Sequence, residues 1–227
     1  IDDDLSPISL NLNNFEKNLK YLKKNNFVTT SINEIDNNDN NNQVIITFDD
    51  GYKDNIIKAL PLLKKYNYTA ICYIVSNFIG SKNHWDSKKK NFKQKELMSK
   101  SDILEWKKNG MEIGSHSNNH INLTESNDKI IRKELNISKK VLENITGESI
   151  DSFSYPFGRV NLKVYNYVKN VFKNSVTTNR SRYNMISHDK YLIPRIDMGG
   201  NLTNFKIFLK LKTIYEDVKY NENQLQL

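Results

Sequence analysis

What most limits the folds open to this chain is a repeated switch in hydrophobic period. Val44-Ile45-Ile46-Thr47-Phe48 and the run from Ala70 to Val75 are apolar, rich in β-branched residues and without polar alternation. Such runs read as strands buried on both faces. Shorter strand-like segments follow at Met111 to Ser115, Ser152 to Tyr155, Ser175 to Thr178 and Leu192 to Ile196. Elsewhere apolar residues recur every three or four positions, as in Phe15, Leu19 and Leu22, or Ile131, Leu135, Leu142 and Ile145. That spacing predicts helices over about 12–25, 56–63, 102–109, 131–145 and 162–172. Pro61 must kink or split the second; Ser101 and Gly110 bound the third, and Gly147 ends the fourth. Strands and helices in alternation give an α/β domain on a parallel sheet, open or closed into a barrel. Asp36 to Asn42 is a polar loop, and the last thirty or so residues are helical in tendency.

Composition narrows the function classes. A chain of 227 residues buries a core without disulfide staples, and its single cysteine, Cys72, lies inside an apolar run and reads as core. The net charge of +8 could suit nucleic acid. The lysines are spread over helix faces, however, and no compact arginine patch interleaves with aromatics, so nucleic acid is not an expected partner. No run approaches the roughly 20 apolar residues of a transmembrane segment.

Two segments carry chemistry. Thr47-Phe48-Asp49-Asp50-Gly51 sets adjacent carboxylates at the C-terminal end of a strand, where parallel α/β folds build their sites. One aspartate could cap the next helix; two in succession exceed that need. His116-Ser117-Asn118-Asn119-His120 follows another strand, and its four-residue spacing can turn both imidazoles the same way. Each segment alone is weak. Together they offer two histidines and one aspartate, the three protein ligands of a catalytic zinc with a position left for water, and one aspartate to spare. An aspartate is about 12 pKa units too weak to deprotonate free water, but only about 3 units short for metal-bound water. A third segment, Phe153 to Gly158, reads by itself as an aromatic turn serving core packing, though it is compatible with stacking on a sugar.

In this order the three segments resemble the polysaccharide deacetylases, carbohydrate esterase family 4, over about residues 10 to 197. The resemblance implies a deformed (β/α) barrel in a single domain spanning 1–227, with 198–227 as a helical extension. It implies a divalent metal, usually Zn2+, on Asp50, His116 and His120, and Asp49 as general base. Tyr155, Pro156, Phe157 and Gly158 would line the substrate groove, with the Phe157 N–H at the oxyanion. The implied reaction removes N-acetyl groups from an N-acetylglucosamine-type glycan. A lipid- or nucleotide-linked amino sugar is the alternative substrate, and a glycan-binding protein without catalysis the alternative class.

Two departures from the family pattern stand out. Its third motif commonly carries an arginine that orients the base; Ser154 occupies that place here, and Arg195 is the candidate to supply the charge from another strand, the alternative being a surface salt bridge. The family's C-terminal Leu-x-His motif, which supplies the general acid, is not found after Arg195, and His188 lies in a polar loop. The first fifty residues resemble a circularly permuted branch, including poly-N-acetylglucosamine deacetylases, whose N-terminal Tyr-His pair supplies that histidine. The expectation is a histidine just upstream of Ile1, and an envelope or secreted location would suit this branch. His84 and Trp85 could reach the site but read more readily as a surface loop, and Trp106 reads as core.

Overall fold

The computed structural model describes residues 10–35, 42–87, 93–184 and 186–220. Helix α1 (Leu12–Lys24) starts where the Asn11 side chain accepts the Asn13 N–H at 2.8 Å, and it buries Phe15, Leu19 and Leu22. A two-stranded parallel sheet of β1 (Val28–Thr29) and β2 (Gln43–Val44) follows. The main sheet is parallel throughout and runs in chain order: β3 (Thr47–Phe48), β4 (Ile71–Ile74), β5 (Glu112–Ser115), β6 (Ser152–Ser154) and β7 (Asn174–Val176). Helices α2 (Leu60–Tyr66), α3 (Lys100–Lys108), α4 (Asp128–Thr146) and α5 (Leu162–Val171) connect successive strands, and α6 (Asn204–Lys212) and α7 (Tyr215–Tyr220) close the described chain. This curled, helix-backed sheet is the deformed (β/α) barrel that the motifs implied.

Strand β4 shows why the sheet curls around a filled centre. Its four residues are all buried, but Cys72 and Ile74 join the large core under the helices, whereas Ile71 and Tyr73 pack inward with Ile32, Val176 and Ile193. Side chains alternate across a strand, so one run feeds both cores. Gly114 on β5 is required by that inner packing, because a Cβ there would stand 2.4 Å from the Tyr73 ring. Burying a leucine or isoleucine such as Leu135 or Ile131, both fully enclosed, contributes about 1.5–3 kcal/mol each.

The edges β3 and β7 do not pair with each other. Instead, the chain after β7 returns alongside it: Thr177 N–H donates to the Ile193 carbonyl at 2.9 Å and Ile193 N–H to the Ser175 carbonyl at 3.0 Å. Arg195 then crosses the gap and donates from its guanidinium to the Thr47 hydroxyl of β3 at 3.2 Å. A side chain, not a strand ladder, bridges the barrel seam.

Several sequence expectations are corrected. The run from Val44 to Phe48 is not one strand; its ends belong to different sheets. The segment from Leu192 to Ile196 makes one bridge, Ile193 with Val176, since Pro194 has no N–H to extend a ladder. Helix α3 is capped by Ser99, not Ser101, with Asp102 completing a capping box. Before α2, a π-helical turn spans Asn55–Ala59, with Leu60 N–H reaching back to the Asn55 carbonyl, and Pro61 sits in the first turn of α2, where a missing N–H is tolerated. Of the polar loop from Asp36 to Asn42, residues 36–41 lie outside the described residues. Trp106 is core, its indole N–H donating to the Glu112 carbonyl at 2.9 Å, and Cys72 is fully buried, its thiol pushed up by burial.

Candidate metal centre and its arginine–aspartate pair

The sequence brings its acidic and histidine segments to one end of the sheet through turns of unusual backbone. Asp50, Ser117, His120 and Phe157 all have positive φ, at 72°, 63°, 54° and 59°. Non-glycine residues there cost about 1–3 kcal/mol each, and such strain collects at functional sites. The turn after β5 is held from several sides. Ser117 Oγ accepts the His120 N–H at 3.0 Å. Ser76 and Asn77 N–H donate to the Ser117 and Asn118 carbonyls at 3.2 and 3.0 Å. Glu134, on α4 and 4 % exposed, accepts the N–H groups of Asn118 at 3.0 Å and Asn119 at 2.7 Å.

Asp50 Oδ1 then lies 3.4 Å from His116 Nε2 and 3.3 Å from His120 Nε2, and one donor atom from each residue falls within 4.8 Å of the others. Ligands about 2.0–2.2 Å from a shared tetrahedral ion stand roughly 3.3–3.5 Å apart, so these separations fit a metal better than they fit direct hydrogen bonds near 2.8 Å. His116 Nδ1 donates to the Ser154 carbonyl at 2.7 Å, which fixes its proton there and turns the Nε2 lone pair to Asp50. Burial works to lower the His116 pKa, but the Asp50 and Asp49 carboxylates outweigh it and raise it. The pocket therefore draws positive charge. Buried imidazoles and a carboxylate are a donor set suited to zinc.

Asp49 does not point into the same cluster. Arg195 grips it in a two-pronged pair, 2.9 Å to Oδ1 and 2.7 Å to Oδ2, while its Nε–H donates to the Thr177 carbonyl at 2.8 Å. The surface salt bridge weighed for Arg195 is excluded: its side chain is 19 % exposed and its partner is the candidate base. Burial pushes the Asp49 carboxyl up, but the Arg195 charge and hydrogen bonds prevail and hold it well below the usual carboxylate range, helped less by His116 and the Ser154 hydroxyl. Asp49 keeps 31 % of its side chain open, enough for water or substrate to reach it.

The third segment narrows. Tyr155 is 1 % exposed, with its hydroxyl donating to the Tyr191 carbonyl at 3.1 Å. Pro156 is buried, and Gly158 is there because a Cβ would meet Thr178 Oγ1 at 1.9 Å. As side chains these three serve packing, which corrects the groove expected of all four; Phe157 alone is exposed, its ring centroid 4.5 Å from that of His120. Trp85 also stands against His120, with ring centroids 4.9 Å apart and planes tilted by 33°. Trp85 is therefore a wall of this site and not a remote loop residue; a tryptophan in an otherwise polar stretch was its only signal. Glu134 was missed, although a glutamate on the apolar stripe of α4 hinted at an inward task. His188 is held in its own turn, accepting the Asn184 N–H at 3.0 Å and stacking on Tyr183.

Residues 36–172 match the family model described as polysaccharide deacetylase. The chain is 31 % identical over 153 residues to YxkH of Bacillus subtilis (strain 168), named for polysaccharide deacetylases, covering 65 % of this chain and 50 % of that one. It is 30 % identical over 127 residues to the poly-beta-1,6-N-acetyl-D-glucosamine N-deacetylase of Staphylococcus aureus (strain MRSA252), covering 52 % and 41 %. The chain thus spans half or less of the length of these relatives. The deacetylase PplD of Streptococcus pyogenes, solved with acetate, shares the fold with a TM-score of 0.79 at 21 % identity, covering 91 % of this chain and 89 % of that one. With the matched region covering more than half of its residues, the chain belongs to the polysaccharide deacetylase family.

Proposed function

We propose that the chain is a metal-dependent hydrolase that removes N-acetyl groups from an N-acetylglucosamine-type glycan. The observation that carries this reading is the division of labour between neighbouring aspartates: Asp50 faces His116 and His120, while Asp49 is held apart by Arg195. A binding site for a metal alone has no use for the second carboxylate and its arginine, which weighs against a glycan-binding protein without catalysis.

Asp50, His116 and His120 would hold a divalent ion, zinc by its donor set, which lowers the pKa of a bound water from 15.7 to roughly 7. Asp49 takes the proton of the attacking water. Arg195 costs Asp49 some basicity, so the carboxylate depends all the more on an acidified water, while the pair fixes which way its lone pairs point. We assign to the protonated Asp49 the return of its proton to the departing amine as the C–N bond breaks, the step for which the family pattern supplies a histidine. The Gly158 and Arg159 N–H groups are committed to the Tyr155 and Pro156 carbonyls, and the N–H of the strained Phe157 is the donor we assign to the developing oxyanion. Trp85 and Phe157 flank His120 with apolar faces suited to a sugar ring.

The S. aureus relative named above makes a β-1,6-linked N-acetylglucosamine polymer the first substrate to try, and such a glycan would place the protein at the envelope. Among the described residues no helix is long and apolar enough to cross a membrane. The test is acetate release from β-1,6-linked N-acetylglucosamine oligomers beside a nucleotide-linked N-acetylamino sugar. Release from the oligomers supports the reading; release only from the nucleotide sugar replaces its substrate; release from neither contradicts it.

A further inference from the structure

The family match ends at residue 172, yet Arg195, which pairs with Asp49, lies beyond it and is followed by α6 and α7. Two residues of α7 contact the segment that receives the Arg195 hydrogen bonds, and a third reaches the segment that carries Arg195 through Lys210 of α6. Glu216 pairs with Lys210 of α6, and Lys210 Nζ also donates to the Asp197 carbonyl at 2.8 Å, two residues past Arg195. Asp217 accepts from the Ser181 hydroxyl. Tyr220 lies under the guanidinium of Arg180, 4.6 Å from its ring centroid, and Arg180 pairs with Asp197 at 2.9 Å. The segment so gripped is the one whose Thr177 and Asn179 carbonyls accept the Arg195 Nε–H and backbone N–H, each at 2.8 Å.

The Lys210–Glu216 pair is the most telling part. Its side chains are 5 % and 0 % exposed. A buried ion pair is costly to desolvate, and apolar residues of similar size are often as stabilising. What apolar residues cannot do is fix a backbone carbonyl at a set position, as Lys210 does for Asp197. Such a pair is better explained by registration than by stability.

We propose that α6 and α7 form a clamp that positions Arg195 against Asp49, with the buried Lys210–Glu216 pair as its pin. Its effect on rate rests on the deacetylase reading; its effect on Arg195 does not. Lys210, Glu216 and Asp217 are positioning residues that act through Arg195.

The test replaces the pin by an apolar pair, Lys210→Met with Glu216→Leu, so that no charge is left orphaned. The first readout is exchange of the Arg195 Nε–H, followed by 15N NMR, with the Trp106 indole N–H as an internal reference on the other core. Release of the clamp speeds Arg195 exchange by roughly tenfold or more and leaves Trp106 unchanged. Unchanged Arg195 exchange, or equal acceleration at both, overturns the proposal. The second readout is kinetic, on N-acetylglucosamine oligomers. The double variant lowers kcat by about tenfold at constant KM, and has no further effect in an Arg195→Met background. Additive losses in that background overturn the clamp. If the unaltered chain releases no acetate, the deacetylase reading fails while the exchange measurement still decides the clamp.

Discussion

The turn bearing the two histidines and the arm bearing Arg195 serve one site but are built in opposite ways. The histidine turn is local: His116 and His120 are four residues apart, and its backbone groups are satisfied by Ser117 within it and by Ser76, Asn77 and Glu134 around it. The arginine arm is non-local: Arg195 reaches Asp49 across 146 positions of sequence and depends on contacts from α6 and α7. Local construction leaves a motif in the sequence. Non-local construction leaves a residue whose task appears only when the barrel seam is closed.

Removing the ion should affect only the first region. Treatment with a chelator, or His116→Ala, is expected to lower acetate release by about 10³-fold or more, with zinc restoring the chelated protein but not the variant, while Arg195 Nε–H exchange stays slow. Loss of Arg195 order on chelation would show that the regions are not separate. Next in size, Arg195→Met should lower kcat by about 10–10²-fold while zinc affinity, measured by calorimetry, holds. Arg195→Lys should recover little, because an ammonium cannot reproduce the two-pronged grip on Asp49. Full recovery by lysine would reduce Arg195 to a bare charge.

Glu134→Gln probes the histidine turn from its support. It removes the negative charge from a carboxylate that accepts two backbone N–H bonds, so zinc should bind about tenfold more weakly and the fold should lose about 1–3 kcal/mol in denaturant titration. Unaltered zinc affinity would mean that the turn holds itself. The smallest effect belongs to the aromatic wall. Trp85→Ala should raise KM severalfold, about 1 kcal/mol of lost contact, with kcat and zinc affinity almost unmoved. A fall in kcat without a change in KM would make Trp85 a support for His120 and not a sugar platform.

The same contrast explains what could be read in advance. Buried runs such as Ala70 to Val75 announce a parallel strand because both faces are apolar, and β4 does feed two cores. Asp49, Asp50, His116 and His120 were legible because their chemistry is packed into short segments. The Leu192 to Ile196 strand was not legible as the single bridge it is, because an apolar run beside Pro194 gives no count of its ladder bonds. Tyr155 and Gly158 looked like groove residues because the motif carries them, yet the motif exists partly to build a strained Phe157 turn around them. The C-terminal helices showed no chemistry in sequence, since Lys210 and Glu216 look like ordinary charged helix residues until their burial is known. Trp85 and Glu134 each broke the local pattern of their segment, which is the trace that a long-range task leaves.

The most direct test of the central claim is acetate release from N-acetylglucosamine oligomers by the chain and by Asp49→Asn, each with zinc and with chelator, alongside zinc calorimetry on both. The account requires release that depends on zinc and falls by about 10²–10⁴-fold in the variant, with zinc bound equally by both proteins. Equal release by the two proteins would contradict the role of Asp49, and zinc-independent release would contradict the metal centre itself.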